Sequence, residues 1–222
     1  MSERGKYIVL EGHDGTGKSE QARRLIGRLG SLGISCLQAP IEEPGGSPAS
    51  DELRKIIKNG NLPRDPWSNV LMFTAARRLS WLQTIQPALN RGVWAVAARN
   101  WISTAVYQGY GQGADVAKIR SFTGDNVHPD YLNPDAQLIL TLDSQLTRRQ
   151  RIADRDEQPE SPDIFESMPD DFQRKVQDGY EAFARRFNVA TVPVVNRSDL
   201  PKQASIELTG RRIWRHVSRL IQ

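Results

Sequence analysis

The chain carries a single cysteine, Cys36, among 222 residues, which excludes an internal disulfide and any zinc site built from several thiolates. Cys36 reads as a buried, unreactive thiol. No apolar stretch approaches the roughly 20 residues that a membrane-spanning helix needs. The opening MSERGKY leads into the first apolar run without a secretory segment. These absences set the expectation of a soluble, cytoplasmic protein with no membrane partner. Charge of one sign is also scarce, since 30 Lys+Arg against 26 Asp+Glu leave only +4. The basic residues are scattered except around 148–155 and in RRIWRHVSR at 211–219. A nucleic-acid partner is not called for, because small phosphates account for the excess equally well. Repeats, low-complexity tracts and dividing linkers are missing too, so 1–222, with 38% apolar and 7% aromatic residues, is expected to fold as one domain.

What is present is an alternation. The apolar runs YIVL (7–10), ISCL (34–37), VWAVA (93–97), LILTL (138–142) and VPVV (192–195) are bounded by turn residues and lie too far apart for hairpins. They predict five strands. Between them helical periodicity runs over 21–32, 50–59, 67–89, 145–155, 170–187 and about 202–220, with Pro87 expected to kink or break the third stretch. Strands alternating with helices predict an α/β fold with right-handed crossovers and a mostly parallel sheet covered on both faces. The near-continuous apolar text of the strands agrees with burial on both sides.

The most informative stretch follows the first strand. Gly12, His13, Asp14, Gly15, Thr16, Gly17, Lys18 and Ser19 fit G-x-x-x-x-G-K-[ST], directly before a helical pattern. The glycines let the backbone turn tightly and aim its N–H groups inward, where they and the helix N-terminus cradle a β-phosphate. Lys18 adds a positive charge toward the β- and γ-phosphates of a nucleotide, and the Ser19 hydroxyl is placed to coordinate Mg²⁺. His13 reads as a tolerated loop residue. The motif alone leaves GTPases, motors, helicases, transporter ATPases and small-molecule kinases open. The chain is too short for a helicase core and has no Asn/Thr-Lys-x-Asp element to select guanine.

Six further segments resemble thymidylate kinases in order and spacing: EPGG (43–46), VLMFTAARRL (70–79), PALNRGVW (87–94), RNWISTAVYQGYGQG (99–113), DAQLILTLD (135–143) and GYEAFA (179–184). The resemblance implies a three-layer P-loop kinase fold with a five-stranded parallel sheet, transfer of the ATP γ-phosphoryl group to dTMP, and a homodimer. Phe73 and Arg77 share one helix face, so a stacking ring and a hydrogen-bonding fork can converge on a pyrimidine, the use the family makes of the matching pair. By the same resemblance Arg99 holds the acceptor phosphate, Thr104 lies near the base, and Tyr107 and Gln108 form the sugar-side wall. Asp14 is expected close to the acceptor sugar and the nucleophilic phosphate. A lid over about 148–163 is expected to supply a transition-state cation, with Arg149, Arg151 and Arg155 as the ordered candidates. Such a cation is required where, as at Gly15, the loop itself has no arginine.

Departures from the family pattern matter as much. The family's Asp-Arg pair stands here as Ala98-Arg99, its Arg-Glu-Pro turn as Glu42-Glu43-Pro44, and Glu20 replaces the Thr or Ser after Ser19. These changes keep two rivals open: a same-fold kinase for another deoxypyrimidine, including a modified deoxyuridylate or a modified base in DNA, and a nucleotide-binding regulator without activity. Glu42 is the candidate to take over from the missing Asp by ordering a Mg²⁺-bound water.

Overall fold

A computed structural model describes residues 3–153, 164–196 and 199–221. Five strands, β1 (Tyr7–Gly12), β2 (Ile41–Glu42), β3 (Ala95–Ala98), β4 (Ala136–Thr141) and β5 (Ala190–Pro193), form a sheet in the order β2-β3-β1-β4-β5, and every pair is parallel. Alternation along β1 divides the core. Tyr7 and Val9 face one side, packed with Ile102, Val106, Tyr131 and Phe183. Ile8 and Leu10 face the other, against Leu25 and Leu29 of α1 (Lys18–Ser31) and Ile213 and Val217 of α10 (Lys202–Val217). Both faces are therefore covered, as parallel pairing requires.

The second strand is displaced from its expected position. In the 34–37 run only Cys36 bridges, to Trp94, and the ladder resumes at Ile41 opposite Ala97. Five positions on one side thus span three on the other, so the intervening segment bulges, and Pro40 within it has no N–H to offer a ladder. Cys36 is half-buried rather than buried, and burial pushes its thiol up to about 11, which leaves it unreactive.

The third helical stretch divides at the expected proline. The helix α3 (Pro66–Ser80) passes into a π-turn over Trp81–Ile85 and then into α4 (Gln86–Asn90). Pro87 cannot donate to the turn before it, and a wide turn accommodates the lost bond. The helices α2 (Pro48–Lys58) and α9 (Asp170–Phe187) lie where periodicity places them, as does α8 (Gln145–Ala153) up to its last described residue. Three helices had no periodic signal: α5 (Trp101–Thr104), which runs on as a π-turn over Ala105–Gly111, α6 (Val116–Asn126) and α7 (Pro129–Leu132). Each starts on a side-chain cap, from Asn100, Asp115 and His128 respectively. Among the described residues no helix is long and apolar enough to cross a membrane.

Candidate active site

The carboxyl ends of β1, β2 and β3 open on one edge of the sheet, where parallel α/β folds bind ligands. β1 ends in the loop that runs into α1. At Gly12 the backbone takes φ +140° and an added Cβ would lie 2.3 Å from the Leu140 carbonyl oxygen of β4, so a side chain fits neither the conformation nor the space. At Gly15 φ is +84° and the Arg148 carbonyl of α8 would stand 3.2 Å from a Cβ. The lid helix therefore lies directly against the loop. The Thr16 hydroxyl closes the loop on the His13 carbonyl at 2.8 Å.

Lys18 folds back over this loop, its Nζ donating to the carbonyls of Gly12 at 2.9 Å and His13 at 3.0 Å. Burial first, and Arg99 second, lower its ammonium to about 7. Those bonds are to groups of the loop itself, so an arriving phosphate can compete for the same cation. Ser19 Oγ donates to Glu42 Oε2 at 2.9 Å, which sets a hydroxyl and a carboxylate side by side.

Arg99 stands at the tip of β3 with φ +82°, a left-handed conformation uncommon for a non-glycine residue. Its guanidinium pairs with Asp14 and donates to Ser103 Oγ at 2.9 Å and Tyr180 Oη at 3.3 Å. Tyr107 Oη donates to the other Asp14 oxygen at 2.7 Å. Burial would raise the Asp14 carboxyl, but Arg99 and then Lys18 overcome it and hold it well below the usual carboxylate range. Beneath this pair lies Glu11, fully buried. It accepts from the Asn100 and Ser103 N–H groups at 2.6 and 3.1 Å, and from the Ser103 and Tyr180 hydroxyls at 2.8 and 3.1 Å. The sequence reading passed over Glu11, although an acid inside a strand buried on both faces is itself a signal.

Phe73 and Arg77 do share a face of α3, with the guanidinium carbon 5.0 Å from the ring centroid. Arg77 Nε donates to Glu43 at 3.1 Å and its Nη1 to Thr104 Oγ1 at 2.5 Å, while its buried Nη2 has no partner. Gln108 Oε1 is likewise buried and unpaired. An unpaired buried donor is costly, so these two atoms mark polar groups here that no protein partner satisfies. Burial pushes Glu43 up to about 7 against the pull of Arg77 and Tyr131. A cavity of about 1030 Å³ joins this pocket to the loop, lined by Lys18 and Ser19 of the loop and Glu42 beside them, by Phe73, Arg77 and Tyr107, and by Asn196 and Ser205.

His13 has a partner that spacing could not supply. Its Nε2 lies 2.9 Å from Gln173 Oε1 of α9, whose amide donates at 2.7 Å to the carbonyl of Phe165, and burial lowers the imidazole to about 4. Phe165 in turn packs on Phe73 and Tyr107. The neutral His13 thus ties the loop to the aromatic cluster of Phe165, Phe73 and Tyr107.

The lid candidates separate. Arg149, first in the expected order, is exposed and paired with Asp170 of α9, and among the described residues no hydrogen bond to the loop is formed by it. Arg151 Nη1 reaches the Gly15 carbonyl at 3.4 Å, and its Nη2 the Val195 carbonyl at 3.2 Å. Arg155 lies outside the described residues. The reason is helical geometry, since residues two apart on a helix diverge by about 200° and only one can face the loop.

A family profile for thymidylate kinase matches residues 10–203. The thymidylate kinase of Jannaschia sp. is 39% identical over 186 residues, which cover 82% of this chain and 83% of that one. The thymidylate kinase of Blochmanniella pennsylvanica is 31% identical over 221 residues, 96% of this chain and 94% of its own. The crystal structure of thymidylate kinase from Ehrlichia chaffeensis shares the fold, with a TM-score of 0.71 at 24% identity over 99% of this chain and 100% of that one. With a phosphate-binding loop, an arginine at the tip of β3 and an aromatic-arginine pocket joined in one cavity, and with the profile spanning most of its length, the chain belongs to the thymidylate kinase family.

Proposed function

We propose that the chain transfers the γ-phosphoryl group of ATP to dTMP, giving dTDP, as a cytoplasmic homodimer. The observation that carries this reading is one cavity, among the described residues, lined both by the Lys18 loop and by the Phe73–Arg77 pair. Phosphoryl transfer asks a protein for positioning and charge neutralisation rather than covalent chemistry. The loop N–H groups and Lys18 hold the donor phosphates, Arg99 and Asp14 orient the acceptor, and Phe73 with Arg77 fix its ring. Mg²⁺, bound with the ATP phosphates at Ser19, supplies further neutralisation of their charge. Arg151 extends the cationic surface on the donor side. Leu71 and Leu82, exposed on α3 and the π-turn after it, offer apolar surface to a second copy.

ADP release measured with dTMP, dUMP, dCMP, dGMP and duplex DNA tests the acceptor. Turnover greatest with dTMP is the expected result; preference for another deoxypyrimidine or for DNA, or no turnover at all, replaces this reading with one of the rivals. Arg77→Ala is expected to lower kcat/KM for dTMP by about 1–3 kcal/mol, the range for a charge-assisted hydrogen bond. Unchanged dTMP kinetics would place the base elsewhere. For the lid, initial rates should show Arg151→Ala at least about tenfold down in kcat/KM for ATP, about 1.4 kcal/mol, and Arg149→Ala within about twofold. The reverse ranking would mean that α8 turns its other face to the nucleotide.

A further inference from the structure

Several acids stand about the loop, and four of them are occupied by neighbouring groups. Asp14 is taken by Arg99 and Tyr107, Glu11 by backbone N–H groups and two hydroxyls, Glu43 by Arg77 and Tyr131, and Glu20 by Arg23 and Arg24. Glu42, among the described residues, accepts a hydrogen bond through its carboxylate from the Ser19 hydroxyl alone, and the cation that acts on it is Lys18 of the loop itself. It is also the one whose position in the cavity wall beside the loop is hardest to explain for a site meant to hold a polyphosphate. Two negative groups facing each other in a partly buried space repel unless a cation lies between them.

We propose that Glu42 and Ser19 are the two protein ligands of the divalent cation that accompanies the nucleotide, the carboxylate coming from the tip of β2 instead of β3. The inference rests on the nucleotide-binding reading above. In P-loop enzymes such a cation is held by the loop Ser/Thr and by an acid at the end of a neighbouring strand. Here, of the two strands paired with β1, β3 ends at Ala98, which has no side-chain oxygen to give, and β4 ends at Thr141, but Glu42 is the register partner of Ala98 in the next strand outward from β3. Its backbone is fixed there: the Glu42 carbonyl accepts from Arg54 at 3.0 Å and the next N–H donates to the Ala98 carbonyl at 3.2 Å. A six-coordinate Mg²⁺ with bonds of about 2.0–2.1 Å places adjacent ligands about 2.9 Å apart. Ser19 Oγ and Glu42 Oε2 already stand at 2.9 Å. Among the described residues there is no cluster of three or more His, Cys, Asp or Glu side chains able to hold a metal alone, so the remaining oxygens must come from phosphate and water.

The proposal makes a paired prediction with opposite signs. Without metal, Glu42 opposes the phosphates; with metal, it recruits the ion, so the coupling between Mg²⁺ and nucleotide depends on it. ADP binding to the full chain, followed by calorimetry in EDTA and in saturating MgCl₂, gives that coupling as a ratio of affinities. Glu42→Gln is expected to bind metal-free ADP as tightly as the wild type or more so, while the Mg²⁺ ratio falls at least about tenfold, and Ala98→Asp added to that variant should recover at least half of the loss on a logarithmic scale. A ratio unchanged within about twofold in Glu42→Gln, a wild type with no Mg²⁺ effect, or a parallel weakening of metal-free ADP would overturn the assignment. So would a double variant that melts normally but recovers nothing; should it not fold, the Glu42→Gln ratio decides alone. A wild type that binds no ADP in either buffer is a different outcome, since it removes the kinase reading itself.

Discussion

Lys18→Ala is expected to lower kcat by at least about a thousandfold, some 4 kcal/mol of barrier, with a melting curve close to that of the wild type. The ammonium is buried, but its two bonds go to carbonyls five and six residues before it, across the turn from β1 to α1, so its removal deletes no hydrogen bond to a distant part of the chain. What it deletes is charge placed where negative charge accumulates on the transferred group. The same cation gives the wild type a pH signature. Burial and Arg99 hold it near 7 in the free protein, and bound phosphate must raise it again. Between the free and the bound value nucleotide binding therefore takes up a proton, and affinity falls as pH rises above 7, by up to about tenfold per unit. Lys18→Ala should lose that slope as well as the rate. Calorimetry in buffers of different ionisation enthalpy reads the proton, and initial rates read the barrier. Turnover within tenfold of the wild type would show that the loop cradles no reacting phosphate.

Such a lysine was legible because the motif is contiguous and its flanks are a strand and a helix. The sheet was legible for a related reason: parallel strands are apolar throughout, and Tyr7, Ile8, Val9 and Leu10 are all fully buried. β2 was not, because the apolar run at 34–37 outweighs two residues, Ile41 and Glu42, whose pairing depends on a bulge. Helices α5 to α7 escaped because two have four residues each, shorter than the period that would reveal them, and all three rest on caps rather than on an apolar stripe. In the site, Phe73 and Arg77 were singled out by the family resemblance together with their spacing, and they do share a face of α3, whereas Glu11 with Tyr180 and His13 with Gln173 join residues far apart in the chain. Arg149 and Arg151 could not be ranked from text, since composition does not say which side of a helix meets the loop.

Arg99→Ala should cost about 3–4 kcal/mol in kcat/KM for dTMP, a loss of roughly a hundred- to a thousandfold, as expected when two charge-assisted hydrogen bonds go at once. The residue is held by more than its strand. A non-glycine residue at φ +82° costs on the order of 1–3 kcal/mol, and this one is kept there by its N–H on the Leu10 carbonyl at 3.0 Å and by Asp14, Ser103 and Tyr180 around its side chain. The β3 position before it is Ala98, so its counter-charge comes from the phosphate loop through Asp14. On the proposed function, removing the guanidinium therefore does two separable things: it takes a ligand of the acceptor phosphate from the cavity, and it leaves Asp14 part-buried without its main partner, which lowers stability. Arg99→Lys separates them. A lysine keeps the charge beside Asp14 but not the planar fork, so its melting temperature should return toward the wild type while kcat/KM for dTMP stays at least about tenfold down. Melting curves and acceptor kinetics on both variants check the two parts. If Arg99→Lys recovers rate and stability together, the side chain serves only to hold Asp14; if Arg99→Ala stays within fivefold of the wild type on dTMP, the acceptor phosphate does not sit at the tip of β3.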